Sequence, residues 1–266
     1  MAAMFVCSSD AWSQTRHALS LSFTHYVGNR PLSLDKGTYI NKLGQTYSIT
    51  MLKYYISNIK LRAKDGRVYE DKDGYYIINA ADSSSLNVIL SNIPIDWYDT
   101  LSFVIGVDSL HNCSGAQKGA LDPANGMFWA WNTGYIFLKM EGSSPASNSP
   151  GHIFEYHIGG YKEPSNCIRK VNLAIRKNKW FNYHSASTLE EKSHVKDKDI
   201  PYKFEADEKK DLYQIDVDVD VEKMLSSPAA IDFSKLSSVT DFHNAPAIAD
   251  RYIGMFQIKK EVVGEK

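Results

Sequence analysis

The feature that most restricts the fold is a regular alternation of apolar and polar residues. The segment 212–221 reads LYQIDVDVDV, in which isoleucine or valine occupies every second position from Ile215 and aspartate occupies the positions between them. A period of two is typical of a β-strand, because successive side chains point to opposite faces of a sheet. This segment therefore predicts a strand with one buried face and one face in water.

Alternating or apolar segments recur along the chain, and turn sequences separate them. The further predicted strands are residues 17–27, 47–61, 100–107, 134–140, 153–158 and 168–175, and the turn sequences are residues 64–66, 72–74 and 122–126. Helical patterns are short, at residues 228–235 and 245–251, and a last strand is predicted at residues 252–259. Many short strands between turns predict an all-β fold, an antiparallel β-sandwich with short peripheral helical turns.

We expect a single domain over residues 15–262. Residues 1–14, MAAMFVCSSDAWSQ, resemble the end of a secretory signal because small residues precede Gln14, although a basic region and a full apolar region are missing. They are predicted to be either a truncated signal-like segment or a disordered one. Residues 178–207 are charged and irregular and are a candidate insertion in the domain.

Charge and motif content argue against several classes of function. The formal net charge is −1, so the chain has no overall attraction for nucleic acid. It contains no run of about 20 apolar residues that would span a bilayer. It also lacks a Gly-rich phosphate loop and the HExxH, GxSxG and CxxC motifs, so we expect a binding protein rather than a stand-alone enzyme.

The segment MFWAW at residues 127–131 is a candidate binding surface. If it is extended, Met127, Trp129 and Trp131 point to the same side. A thioether beside two indoles is soft and polarisable, which suits a metal or a ligand, but such residues more often fill a hydrophobic core.

Two histidines lie on predicted strands. His25 continues the inward face of the segment 17–27, where an apolar residue is expected. A buried imidazole needs a partner, so His25 is either a hydrogen-bonded core histidine or a metal ligand. His157 ends a strand directly before an Ile-Gly-Gly sequence, and these glycines would let a backbone or a ligand approach closely. Imidazole together with thioether suits copper better than calcium or magnesium.

Several sequence blocks, in order from about residue 18 to residue 258, resemble the MbnP-like copper-binding family. The most specific is residues 115–142, which includes GALDPANGMFWAWNTGYIFLKMEG. The others are residues 23–25 followed by Pro31-Leu32, residues 54–59 (YYISNI), residues 157–160 (HIGG) and residues 248–256 (IADRYIGMF). The resemblance covers nearly the whole predicted domain.

The resemblance implies an exported β-sandwich, periplasmic or extracellular, that holds one copper ion with histidines and a kynurenine made from tryptophan. His25 and His157 match the motif histidines, and Trp129 or Trp131 matches the oxidised tryptophan, with a narrow preference for Trp131. Met127 is implied as an additional contributor to the site. The oxidation implies a diheme MauG-like peroxidase as a partner, because this chain has no CxxCH motif for attaching haem.

Two other functions are compatible with the same residues. A β-sandwich rich in tyrosine and tryptophan could be an interaction or carbohydrate-binding module without a metal, with exposed rings stacked on sugars. A hydrolase whose catalytic groups assemble across the fold is the third alternative, and no motif in the chain supports it.

Overall fold

The predicted strands form two facing β-sheets in the computed structural model of the protein, which describes residues 16–94, 98–129, 134–175 and 212–259. The strands are β1 (Arg16–Val27), β2 (Arg30–Pro31), β3 (Tyr39–Ile40), β4 (Thr46–Ala63), β5 (Val68–Asn79), β6 (Asn87–Pro94), β7 (Tyr98–Ile105), β8 (Phe128–Trp129), β9 (Gly134–Ser143), β10 (Ile153–Gly159), β11 (Arg169–Ala174), β12 (Leu212–Asp220), β13 (Ser238–Val239) and β14 (Phe256–Ile258). The helices are α1 (Ser109–Cys113), α2 (Val221–Ser226) and α3 (Ala245–Tyr252), with short 3-10 turns at Ser83–Leu86, Gly119–Leu121, Pro123–Asn125, Pro150–His152 and Ile253–Met255.

The smaller sheet has five strands and is built around β1. Its order is β14-β12-β1-β2, and β6 also pairs with β1. The nine-stranded sheet has the order β11-β7-β4-β9-β10-β13, while β3, β5 and β8 pair with its members. The all-β sandwich is confirmed, but the sheets are mixed, because β1 pairs with β12 and β10 pairs with β13 in parallel.

The core lies between the sheets, where the alternating residues point as predicted. On β1, Leu21 and Phe23 are buried, and Val217 and Val219 of the neighbouring β12 are fully buried. Phe103 of β7 joins the two sheets: its ring centroid lies 6.2 Å from that of Phe23 and 5.3 Å from that of Phe256. We call the face of the nine-stranded sheet that meets this core its inner face and the opposite face its outer face.

One end of the outer face is covered by residues 106–129, which we call the cover segment. It contains α1, two 3-10 turns and β8. Tyr55 of β4 reaches the cover segment by donating its hydroxyl to the carbonyl of Ala120 at 2.8 Å, and Tyr135 of β9 donates to Leu121 at 2.7 Å. The Tyr135 ring also packs edge-on against Phe128, with 5.1 Å between centroids. These contacts form a second, smaller apolar layer outside the main core.

Two local predictions were wrong. The turn expected at residues 72–74 lies inside β5, at the point where the pairing between β4 and β5 shifts register, so the extra residues are absorbed within the strand. The helical turn expected at residues 228–235 is instead a series of bends and turns. The helix expected at residues 245–251 is observed as α3. The final strand expected at residues 252–259 is observed as the shorter β14, because residues 252–255 are helical.

Several further predictions lie wholly or partly outside the described residues. These are the segment 1–14, the candidate insertion at 178–207, and Trp131. Cys113 and Cys167 are both free thiols and do not form a disulfide with each other. Among the helices of the described ranges, none is long and apolar enough to cross a bilayer.

Candidate functional site

His25 lies on the inward face of β1, as its position in the alternation predicts. It is 7% exposed, and its Nε2 is 3.0 Å from the hydroxyl of Tyr54 on β4. The two rings meet edge-on, with 5.8 Å between their centroids. Burial removes the solvent that would stabilise an imidazolium, which lowers the pKa of His25 from 6.5 to about 4. His25 is therefore a neutral imidazole hydrogen-bonded inside the core.

His157 lies on β10 and is only half-buried. Its Nε2 is 2.8 Å from Oε1 of Glu141 on the neighbouring strand β9. Lys139 approaches the same carboxylate at 3.4 Å. Partial burial acts to raise the pKa of Glu141, but the hydrogen bond from His157 and the charge of Lys139 outweigh it, so that pKa is lowered. The charged carboxylate fixes the orientation of the His157 ring.

The two histidines lie on opposite faces of the nine-stranded sheet. Across the sheet, Tyr54 pairs with Leu138, which pairs with Ile158, and all three are fully buried on the inner face. The adjacent row is Lys53, Lys139 and His157, each partly exposed, on the outer face. Since His25 contacts the inner row and His157 belongs to the outer row, the sheet separates the two imidazoles. They therefore do not form the single pocket that the family resemblance implies.

Trp129, in contrast, contacts the strand that carries His157. A methyl group built on Gly159 would lie 2.7 Å from Cζ3 and 2.8 Å from Cη2 of Trp129, so the indole rests directly against this glycine. Gly159 is two residues after His157 on the same strand, at the point where the pairing of β10 with β9 shifts register. The close approach expected for the glycines of this motif is thus made by an indole of the cover segment.

The other side of the Trp129 ring contacts the chain that follows β13. Its centroid is 5.6 Å from that of Phe242 in an edge-on contact. Trp129 is 6% exposed and Met127 is fully buried. Phe128, between them, is only partly buried, which is consistent with Met127 and Trp129 pointing to one side. A ring this enclosed is not available to stack on a sugar, which removes Trp129 from the carbohydrate-binding alternative.

The arrangement suits one metal-binding nitrogen with a positioned ring. If Nε2 of His157 carries the proton donated to Glu141, Nδ1 keeps a lone pair for a metal. A carboxylate behind a histidine is the usual way in which proteins orient a metal-binding imidazole. Within the described ranges, no group of three or more His, Cys, Asp and Glu side chains is placed to hold an ion. A metal here would therefore need a donor of another kind.

Sequence reasoning missed two residues of this region. Glu141 lies within the block that carries the family resemblance, and the i,i+2 spacing of Lys139 and Glu141 on a predicted strand places both charges on one face. The hydrogen bond between Glu141 and His157 depends on the register of β9 and β10, which the sequence does not reveal. Phe242 follows a short strand, and no sequence pattern points to it.

Comparison with known proteins agrees with the fold and with the sequence blocks. The family model described as MbnP matches residues 16–241. Among solved structures, MbnP from Methylosinus trichosporium superposes with a TM-score of 0.51 and 12% sequence identity, covering 82% of this chain and 80% of that chain. At this identity the structural likeness supports the fold alone. No curated protein sequence matches the chain.

Proposed function

This chain belongs to the MbnP family, and we propose that it is a copper-binding protein that acts outside the cytoplasm, in the periplasm or beyond the cell, and has no catalytic activity of its own. The proposal rests on the contact between the Trp129 indole and Gly159, two residues from His157. This contact joins the Trp-x-Trp block and the HIGG block at one place in the fold.

Only part of the donor set expected from the sequence fits a single ion. His25 and His157 are separated by the nine-stranded sheet, so we do not propose that they share a metal. His157 fits, because it is a partly exposed imidazole with a carboxylate behind it and a tryptophan ring against Gly159 of the same strand. We assign His157 to the copper site and His25 to the core.

The second part of the proposal is that a tryptophan beside His157 is oxidised to kynurenine and completes the site. Kynurenine offers an amine and a carbonyl oxygen where tryptophan offers an indole, and bound copper would be held between this group and His157. Trp129 is the tryptophan whose ring contacts Gly159, two residues from His157. Trp131, preferred on sequence grounds, lies outside the described residues. A diheme MauG-like peroxidase is the proposed oxidant, because the chain carries no haem-attachment motif.

Copper retention by single variants tests the assignment of His157. The full chain, produced together with a diheme peroxidase of this type, is loaded with copper, dialysed and analysed for metal. We expect about one copper per wild-type chain, a large loss in His157→Ala, and at least about tenfold weaker retention in Glu141→Gln, which leaves the imidazole unsupported. The control is His152→Ala, because this histidine is exposed and lies in the 3-10 turn before β10, at the end of the strand opposite Gly159.

The result that would overturn the assignment is full copper retention by His157→Ala. Loss of copper in His25→Gln, with His157→Ala unaffected, would instead move the site to the inner face. Circular dichroism of each variant shows whether it is folded.

Mass spectrometry tests the modification. Conversion of tryptophan to kynurenine adds two oxygen atoms and removes one carbon monoxide, a gain of about 4 Da. We expect this gain in protein made with the peroxidase, on the peptide that contains Trp129, and its absence in Trp129→Phe. An unmodified mass in protein from the native source would contradict the modification, and a gain confined to Trp131 would reassign it.

Fractionation of the native source tests export, because the proposal requires the chain outside the cytoplasm.

A further inference from the structure

Residues 114–126, in the middle of the cover segment, are thinly packed. The structure describes all of these residues, and Leu121 is the one buried residue among them. No strand includes any of them, so their backbone is not part of either sheet. A segment with few buried apolar contacts opens locally at a lower free energy than the core of the same protein.

The hydroxyls of two tyrosines attach these residues to the nine-stranded sheet. Tyr55 donates to the carbonyl of Ala120 at 2.8 Å, and Tyr135 donates to that of Leu121 at 2.7 Å. The side-chain amide of Gln117 donates to the Tyr135 hydroxyl at 3.2 Å. Each of these bonds is exchanged for a bond to water on opening, so its net contribution is modest. The middle of the cover segment is therefore held less firmly than a paired strand.

The far end of the cover segment, residues 127–129, is held more firmly, and we call it the clasp. Met127 is fully buried, and Trp129 packs against Gly159 of β10. The carbonyl of Met127 accepts the backbone N–H of Ile136 on β9 at 2.9 Å. This N–H exchanges with solvent when the clasp is released, so it reports on the opening of that end.

The near end has a fixed point followed by a glycine. The side chain of Asn112 in α1 accepts the backbone N–H of Tyr135 at 3.0 Å, which anchors the helix to β9. Gly115 follows α1 with a φ of +74°. Among the described residues, no heavy atom beyond its chain neighbours lies within 4 Å of a Cβ built on Gly115. Glycine changes its backbone angles at low cost, so this position suits a hinge.

We propose that residues 114–129 open and close as one unit on a folded sandwich, with Gly115 as the hinge, and that copper holds this unit closed. The role of copper rests on the proposed function, in which one ion is held between His157 and a group made from Trp129. His157 belongs to β10 and Trp129 belongs to the moving unit, so the complete site exists in the closed state alone. Opening then becomes rarer by about 100-fold when free copper is at about 100 times its dissociation constant.

Hydrogen–deuterium exchange tests the opening, read at single amides by fragmentation mass spectrometry. The full chain is produced together with the diheme peroxidase and is studied first without metal and then with copper. Without metal, we expect the Ile136 amide to exchange at least about tenfold faster than the amide of Tyr54, which lies where β4 is paired on both sides. With copper, we expect the exchange of Ile136 to slow by at least about tenfold.

Two tyrosine variants test whether the middle of the segment and the clasp move together. Tyr55→Phe removes the bond to Ala120, whose carbonyl keeps the side-chain amide of Asn125 as a donor at 3.0 Å. In the metal-free protein this change should speed the exchange of Ile136 by about two- to tenfold. Tyr156→Phe is the matched control, because it removes a hydroxyl-to-carbonyl bond of 2.7 Å outside the cover segment. It should leave the exchange of Ile136 unchanged.

In His157→Ala, copper should no longer slow the exchange of Ile136. Independent opening is overturned if Ile136 exchanges as slowly as Tyr54 in the metal-free protein, and the single unit is overturned if Tyr55→Phe leaves Ile136 unchanged. Retained copper that slows the exchange of Tyr54 but not that of Ile136 overturns the closing role of copper and leaves the proposed function standing. A wild-type chain that retains no copper, by metal analysis, overturns both.

Discussion

Burial of the His25 imidazole makes the free energy of unfolding depend on pH. The unfolded chain takes up a proton on His25 near pH 6.5, whereas the folded chain resists it until about pH 4. Because the folded pKa is the lower one, protons favour the unfolded state between these values. The contribution of His25 to the free energy of unfolding is complete above pH 6.5 and falls as the pH drops towards 4, by roughly 3 kcal/mol.

We therefore expect His25→Gln to lose less stability on acidification than the wild type. Glutamine has no charge to gain and can still hydrogen-bond to Tyr54. Urea unfolding at pH 7.5, 6, 5 and 4.5 gives the free energies, and the difference between wild type and variant should shrink as the pH falls. His243→Gln, at an exposed position, should follow the wild type. Parallel curves for His25→Gln and wild type would contradict the prediction.

At the residue scale, the sequence predicts the direction of a side chain better than it predicts the residue that the side chain contacts. Alternation placed His25 on the inward face, which the structure confirms. Its partner, Tyr54, is 29 residues away on the other sheet, and no local pattern selects it. The same limit applies to His157 and Glu141. Both lie on predicted strands, but their contact depends on the register of two strands.

Between elements, Gly159 sets the distance from β10 to the cover segment. An added Cβ would lie 2.4 Å from the carbonyl oxygen of Tyr135 and 2.7 Å from Cζ3 of Trp129. The carbonyl belongs to a paired strand and cannot move freely, so Gly159→Ala should displace Trp129 and the cover segment. We expect a loss of about 1–3 kcal/mol in the free energy of unfolding, measured with urea.

Gly254→Ala is the matched control for this change. Gly254 has no left-handed backbone conformation, and among the described residues no heavy atom beyond its chain neighbours and its own helix backbone lies within 4 Å of its added Cβ. Its free energy of unfolding should stay within about 0.5 kcal/mol of the wild type. Equal effects of the two substitutions would show that the packing of Trp129 on Gly159 does not contribute to stability.

Element prediction succeeded where alternation is long, and of the turn signals the one at residues 72–74 failed. The pattern of residues 212–221 corresponds to β12, and its valines are buried. The Lys72-Asp73-Gly74 sequence has the composition of a turn, yet β4 extends over 18 residues and pairs with β5 on both sides of it. Long-range pairing overrode the local preference, which a sequence read segment by segment cannot anticipate.

For the whole molecule, the two sheets are predicted to unfold together because one aromatic cluster belongs to both. Phe103 of the nine-stranded sheet packs edge-on against Phe23 and Phe256 of the five-stranded sheet and is fully buried. Phe103→Ala removes these contacts from both sheets and leaves a cavity. We expect it to lower the free energy of unfolding by about 3–5 kcal/mol.

The shape of the transition tests the single domain expected from the sequence. Far-ultraviolet circular dichroism follows the strands and near-ultraviolet circular dichroism follows the packed rings, and the two should give one coincident urea transition in the wild type and in Phe103→Ala. Ile89→Ala on β6, where the side chain is 41% exposed, should stay within about 0.5 kcal/mol of the wild type. Two separate transitions would contradict this prediction, because the sheets would then be stable without each other and the cluster around Phe103 would not couple them.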